Sequence, residues 1–131
     1  MSSYLNIYIP IKKEDGIEER ITLIEVSRNN DLYQAFSDYG FCPYGHENAE
    51  ELTSNKLRNI YASLREELDN TNRSIINLKL YNQGNQDTIA ELISTESYAN
   101  DINDTMQHIN ILKEILANIS EKGYTLKYYI D

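Results

Sequence analysis

Residues 4–27 alternate between apolar and polar positions in two blocks. In the first block, YLNIYIPI, one face collects four aliphatic side chains: Leu5, Ile7, Ile9 and Ile11. A period of two in β-branched and aromatic residues predicts a strand. Pro10 cannot donate a hydrogen bond to a neighbouring strand, so we expect this strand to lie at a sheet edge or to bulge at Pro10.

The second block, RITLIEVS, predicts a second strand, joined to the first by a hairpin turn at the Asp-Gly pair of residues 15–16. Regular alternation places Ile24 and Val26 on the core face and Ile21 and Leu23 on the opposite face. Apolar side chains on both faces of this strand predict that both sides of the sheet are covered.

The segment NNDLYQAFSDYG is typical of a short helix. Asn30 is a suitable N-cap, Asp31 suits the positive helix start, and Gly40 suits the position just after the helix end. Three side chains are expected on its buried side: Leu32, Tyr33 and Phe36. The following segment, FCPYGHENAEE, is predicted to be a loop because proline and glycine interrupt it.

A heptad-like seam then predicts a long helix of coiled-coil type. Its positions are spaced alternately by four and three residues: Leu57, Tyr61, Leu64, Leu68, Thr71, Ile75 and Leu78. Thr53 is the better N-cap and Asn48 an earlier option, while Gly84 in YNQGNQD is expected to end the helix.

A second long helix is predicted between Asp87 and Gly123. Its apolar stripe contains Ile89, Leu92, Ile93, Ile102, Met106, Ile109, Leu112, Leu116 and Ile119. Ile111 and Ile115 widen that stripe near its end. The last segment, YTLKYYID, alternates again and predicts a strand that pairs with the N-terminal hairpin.

These elements predict one α+β domain, residues 1–131, with a small antiparallel sheet of two N-terminal strands plus a C-terminal strand. The strand hairpin, short helix and aromatic loop fill residues 1–52, a long antiparallel helical hairpin fills 53–121, and the closing strand fills 122–131.

Folding the chain back at residues 82–86 places Thr71 near Ser97, so the polar interruptions of the two helices face each other. Charge supports this pairing. Residues 53–82 carry five basic and three acidic side chains, which gives +2, whereas residues 87–121 carry one basic and seven acidic, which gives −6. Each exposed pair contributes only about 0–1 kcal/mol, so the charges specify the pairing more than they stabilise it.

The net charge of −9 disfavours a protein that coats nucleic acid phosphates and suits a basic partner. No apolar run approaches the length of a membrane span, and the start MSSYLNIYIP lacks the features of a signal peptide. We therefore expect no membrane association and no secretion, and place the protein inside the cell. A single cysteine excludes an internal disulfide.

Two long helices cannot bury all their apolar residues against each other and a small sheet. Four side chains are left over: Ile76, Leu80, Ile111 and Ile115. Exposed apolar stripes usually mark interfaces, which predicts a homo-oligomer, a dimer or higher, formed along the helices. The alternative is that the short helix and the loop of residues 40–50 cover these side chains.

Catalytic and metal-binding patterns are not found in the sequence. Cys42 and His46 lie four residues apart, but a zinc site needs about four ligands and His108 stands alone on a helix. We expect Cys42 to be a packed loop cysteine, and we expect neither enzymatic activity nor a cofactor or metal.

The aromatic loop is the stronger candidate for a ligand site. Six residues compose that candidate: the rings of Tyr39, Phe41 and Tyr44, and the cations of Arg28, Arg58 and Arg65. Aromatic rings stack on bases and arginines pair with phosphates. The competing interpretation, which we favour, is that the rings cap the sheet core as a lid.

The stretches YLNIYIPIKK and ITLIEVSRNNDLYQAF, followed by a long helical hairpin, resemble a group of small uncharacterised proteins encoded by phages of gut bacteria. The resemblance is best over the first forty residues. It implies a viral or prophage origin and therefore a location in the cytoplasm of the host bacterial cell. Small phage proteins of this kind commonly serve as antagonists of host defence or as virion and assembly accessories.

Together these features predict a non-enzymatic oligomeric binding protein that sequesters a host molecule, such as a nucleotide immune signal. A basic host protein is a second possible partner, because the second long helix presents a run of carboxylates. The alternative is a virion structural or assembly accessory protein built on the helical hairpin.

Overall fold

The computed structural model describes residues 3–81 and 86–131. Within them the strands are β1 (Tyr4–Lys12), β2 (Glu18–Ser27), β3 (Glu50–Glu51) and β4 (Lys127–Ile130). The α-helices are α1 (Asp31–Asp38), α2 (Ser54–Tyr81) and α3 (Gln86–Ser120), and a 3-10 turn covers His46–Asn48. The predicted α+β class and element order are confirmed, with β3 as an added strand. The expected break at Gly84 lies outside the described residues.

The sheet is antiparallel throughout and has the strand order β2-β1-β4-β3. The first strand is therefore an inner strand, and the expectation of an edge or bulge at Pro10 is wrong. Pro10 is tolerated because β4 pairs with β1 only from Leu5 to Tyr8, so its missing N–H interrupts no ladder on that side.

A β-bulge lies two to three residues before Pro10. Three neighbouring pairs of the β1–β2 ladder define it: Ile7 with Ile24, Tyr8 with Thr22, and Ile9 with Ile21. Leu23 is the extra residue, which shifts the alternation of β2 by one position. Regular alternation predicts that Ile21 and Leu23 lie on the other face of the strand from Ile24 and Val26. This prediction is wrong, because the bulge places Ile21 on the helix-facing side together with Ile24.

The three helices pack on the face of the sheet that carries Leu5 and Ile7. Most of the residues that are essentially inaccessible to solvent join this face to the helices: Leu5, Ile7, Phe36, Leu57, Ile60, Ile109, Leu112, Leu126 and Tyr128. Both predicted N-caps are confirmed. Asn30 Oδ1 accepts from the Leu32 N–H at 2.9 Å, and Thr53 Oγ1 accepts from the Lys56 N–H at 3.2 Å.

Burial in the helical hairpin is confined to the half that lies beside the sheet. The last buried residue of α2 is Leu68, and the first buried residue of α3 is Ala99. Beyond them Thr71 lines a polar groove of about 610 Å³ together with Ser94 and Thr95. Polar residues of the two helices therefore border one groove, although Ser97, the predicted neighbour of Thr71, is not among the residues that line it.

The chain between α1 and α2 wraps around the edge of β4. The Gly45 N–H donates to the Ile130 carbonyl and the Ile130 N–H donates to the Pro43 carbonyl, each at 2.8 Å. The Leu52 N–H donates to the Leu126 carbonyl, also at 2.8 Å. This path leaves Phe41 on the helix-facing side of the sheet and carries His46 to the opposite, open face.

Candidate functional site

Two rings of the aromatic loop form a pair at the end of α1. The ring centroids of Tyr39 and Phe41 are 4.9 Å apart. Phe41 is half-buried and continues inward to Tyr128 at 6.5 Å, which in turn meets Phe36 at 5.5 Å. Phe41 thus packs as a lid on the core, while Tyr39 remains exposed beside it.

The cation at this ring pair is Lys56, from the first turn of α2. Lys56 Nζ lies 5.6 Å from the Phe41 ring centroid and 5.1 Å from that of Tyr128. The same ammonium contacts Glu50 Oε2 at 3.2 Å and donates to the Glu51 carbonyl at 2.9 Å. Its charge is therefore shared between a carboxylate and two aromatic faces.

Tyr128 is the buried end of this cluster. Its hydroxyl donates to Glu50 Oε2 at 3.2 Å. Burial, and secondly the neighbouring Glu50 carboxylate, raise the pKa of Tyr128 well above its usual value. The phenol is consequently neutral across the physiological range and serves as a fixed hydrogen-bond donor.

The six predicted ligand residues do not form one site. Arg28 follows β2, and Arg58 and Arg65 are exposed on α2, where Arg65 Nε lies 3.9 Å from Asp69 Oδ1. Among the described residues, none of these arginines contacts the loop rings. Tyr44 stands apart from the Tyr39–Phe41 pair, 69% exposed, where its backbone bridges to β4. Two of the six residues remain together, and Lys56 supplies the cation.

A second aromatic cluster lies on the open face of the sheet, where sequence reasoning placed none. His46 lies 5.9 Å from Tyr8 and 5.5 Å from Tyr129, centroid to centroid. Arg20 covers both tyrosine rings, and its Nη1 donates to Tyr129 Oη at 2.9 Å. Burial, followed by the charge of Glu18, raises the pKa of Tyr8. The cluster buries the rings of Tyr8 and Tyr129 on this face, while Arg20 and His46 remain exposed over them.

The cysteine and histidine of the aromatic loop have separate environments. Cys42 is exposed, which corrects the expectation that it packs as a small apolar group. His46 belongs to the open-face cluster. Among residues 3–81 and 86–131, no group of three or more His, Cys, Asp or Glu side chains is arranged to hold a metal ion. None of the helices in this part of the chain is long and apolar enough to cross a membrane.

The four predicted interface residues fall on two separate surfaces. Ile76 and Leu80, 55% and 63% exposed, lie in the distal half of the hairpin. The term distal hairpin surface denotes these two residues together with Ile89 and Ile93, the exposed isoleucines of the same half of α3. Ile111 and Ile115 line the β2–α3 groove, a cleft of about 380 Å³ between the edge strand and the last helix. The strand side of this groove is formed by Leu23, Ile24 and Val26.

Comparison with protein-family models, with curated proteins and with solved structures finds no match to this chain. The aromatic pair, the open-face cluster and the two apolar surfaces are therefore interpreted from their own chemistry.

Proposed function

We propose that the protein is a non-enzymatic binding protein that works as a homo-oligomer and sequesters a small host molecule. The observation that carries the oligomer is the incomplete burial of the helical hairpin. Beyond Leu68 and before Ala99, none of the described residues of either helix is buried. Most helical stability in proteins comes from packing of the apolar face, so a partner for this half is expected.

A second hairpin is the partner that fits the distal hairpin surface best. Two hairpins that pack together form a four-helix bundle, which buries the outer apolar residues of both. Charge favours this arrangement, because α2 is basic and α3 is acidic, and Lys79 Nζ already meets Glu96 Oε1 at 3.2 Å within one chain. Docking α2 of one copy against α3 of another repeats that complementarity.

Replacing Ile76 and Leu80 together by glutamine is expected to weaken self-association at least tenfold, because polar side chains lower the apolar area buried between copies. Sedimentation velocity over a concentration series measures the effect. Ile17→Gln is the matched control, since Ile17 is 63% exposed, like Leu80, but lies in the strand hairpin turn. A wild-type protein that stays monomeric at all concentrations contradicts the proposal.

The Tyr39–Phe41 pair and Lys56 support a ligand with an aromatic ring and a negative charge. Tyr39 offers an exposed ring for stacking, and Lys56 lies beside the pair. A nucleotide has both features, and the resemblance to phage-encoded proteins favours a nucleotide immune signal of the host. The carboxylate of Glu50 already contacts the Lys56 ammonium. A phosphate of the ligand would therefore approach this ammonium from the side away from Glu50.

Calorimetric titration with a panel of cyclic nucleotides tests this ligand class. We expect one member to bind and Tyr39→Ala to weaken its binding by about tenfold, since stacking on one aromatic side chain contributes about 1–3 kcal/mol. Tyr124→Ala is the control, because Tyr124 is 42% exposed and Tyr39 41%, but Tyr124 lies beyond α3. Absence of heat with every member rejects the nucleotide, and leaves the oligomer to be judged by the hairpin variants.

The second candidate function is that of a virion structural or assembly accessory protein. In that case the distal hairpin surface packs against a different helical protein of the particle. Co-sedimentation with purified particles, lost in the Ile76→Gln, Leu80→Gln double variant, is the expected result for that function. Self-association of the isolated protein through this surface favours the binding protein.

A further inference from the structure

β2 is an exposed edge strand of ten residues. Among the described residues it has a strand partner on one side only, which is β1. The opposite edge of the sheet, β3, is two residues long. The unpaired N–H and C=O groups of a long edge strand are a template for pairing with another strand.

The β2–α3 groove lies directly beside this edge. Leu23, Ile24 and Val26 face it from the strand, and Ile111 and Ile115 face it from α3. A strand added to β2 therefore brings its own helix-facing side chains into contact with apolar surface, so that hydrogen bonding and apolar burial act together.

We propose that the occupant of this edge is β2 of a second copy of the chain. The two strands run antiparallel about a twofold axis that passes between Leu23 and Ile24, and the sheets join into one continuous sheet. The interface is isologous, so each copy supplies the same edge and the same groove. The proposal rests on the proposed homo-oligomer but uses a surface separate from the distal hairpin.

The β-bulge makes this register self-consistent. Paired residues of an antiparallel ladder must face the same side. In a regular strand Leu23 and Ile24 point to opposite sides and cannot pair with each other across the axis. The bulge turns both toward the groove. In the same register Ile21 meets the partner's Val26 on the helix-facing side, and Thr22 meets the partner's Glu25 on the open face.

Charge agrees with the same register. Glu19 pairs with Ile11 in the ladder and so lies on the helix-facing side. Continuing the proposed register one residue past the end of β2 places the partner's Arg28, in the following turn, opposite Glu19. Lys13 forms an ion pair with Glu19 within the chain. In the proposed dimer each end of the joined strands therefore has a row of alternating charges: Lys13, Glu19 and the partner's Arg28. Opposite charges in directly paired positions stabilise a strand pair, and the twofold axis repeats this contact.

A charge exchange tests the interface in the Ile76→Gln, Leu80→Gln background, where the distal hairpin surface contributes little. Glu19→Arg and Arg28→Glu are each expected to weaken dimerisation about tenfold, because each places two pairs of like charges across the axis. The double exchange should restore it. Glu18→Arg is the control, since it makes the same charge change one residue away without a charged partner in this register.

Disulfide trapping tests the register itself. In a Cys42→Ser background, Thr22→Cys with Glu25→Cys should give a covalent dimer on oxidation, whereas Thr22→Cys with Ser27→Cys should not. Failure of the first pair to cross-link, or equal trapping by both pairs, overturns the proposal. Hydrogen exchange gives a further test. If the protein is a monomer and its β2 amides become protected only when an extended peptide is added, the proposal is overturned and the groove binds a different partner. Unchanged association in the hairpin variants alone rejects only the distal interface.

Discussion

The Phe36→Ala variant is expected to lose about 3–5 kcal/mol of unfolding free energy, the range for removing a large aromatic side chain from a well-packed core. Phe36 is completely buried and contacts Tyr128 edge to face. It therefore joins α1 to β4, which are far apart in the sequence. Because small domains are stable by only about 5–15 kcal/mol, this single change removes a large part of the total.

Equilibrium unfolding in urea, followed by circular dichroism, measures the loss for Phe36→Ala. Tyr39→Ala, at the end of the same helix, should cost less than about 1 kcal/mol because its ring is exposed beside Phe41. A comparable loss in both variants would show that the exposed ring of Tyr39 holds α1 in place as much as the buried ring of Phe36 does. A loss below about 1 kcal/mol for Phe36→Ala would contradict the packing described for the core.

The helices could be predicted from the sequence because their signals are local. Asn30 and Thr53 cap helices within three residues of themselves, and the seam from Leu57 to Leu78 repeats at a fixed spacing. Neither signal depends on what the helix packs against. The predicted order of strands and helices followed from the same local patterns.

The face of the sheet on which each β2 side chain lies could not be predicted from the sequence, because it depends on a bulge. Leu23 is the extra residue of this bulge and has no partner in β1. No residue of RITLIEVS marks that insertion. The bulge is a property of the pairing between β1 and β2, which are joined only in the folded domain. A one-residue shift then reverses every side chain beyond it, which is why Ile21 lies on the face opposite to the one that regular alternation predicts.

The candidate ligand site was predicted in part for a related reason. Tyr39 and Phe41 are close in sequence and also close in space. The cation was assigned to three arginines, but the path of the loop around β4 selects Lys56. The open-face cluster was missed because Arg20 and Tyr129 meet across 109 residues, and a contact of that range leaves no local pattern.

The two apolar surfaces define the oligomer that the proposals imply. Each surface is used by both copies in the same way, so each gives a twofold contact. A chain with two different twofold contacts forms assemblies with an even number of subunits. A closed tetramer results if the two axes intersect at right angles, whereas other arrangements of the axes give larger closed assemblies or an open filament. The subunit number of the wild-type protein, compared with that of each set of interface variants, therefore reports both contacts.

Stability is expected to fall in alkali because the pKa of Tyr128 is higher in the folded protein than in the unfolded chain. Burial and the Glu50 carboxylate raise its pKa in the folded state above the ordinary value of about 10. A raised folded-state pKa contributes stability that is fully present below pH ~10 and is lost as the pH rises through the folded-state pKa. Above pH ~10 the free energy of unfolding should therefore fall by up to about 1.4 kcal/mol per pH unit from this residue, until the folded-state pKa is reached.

Tyr128→Phe isolates this contribution. The variant loses the hydroxyl that donates to Glu50, which should cost about 1 kcal/mol at pH ~7, but it should also flatten the alkaline decline. Tyr44→Phe is the matched control, because it removes a hydroxyl from a mostly exposed ring and should leave the decline as steep as in the wild type. Urea unfolding at a series of pH values gives both slopes. An equally steep decline in Tyr128→Phe would mean that the ionising group lies elsewhere, with the buried Tyr8 beneath Arg20 as the next residue to replace.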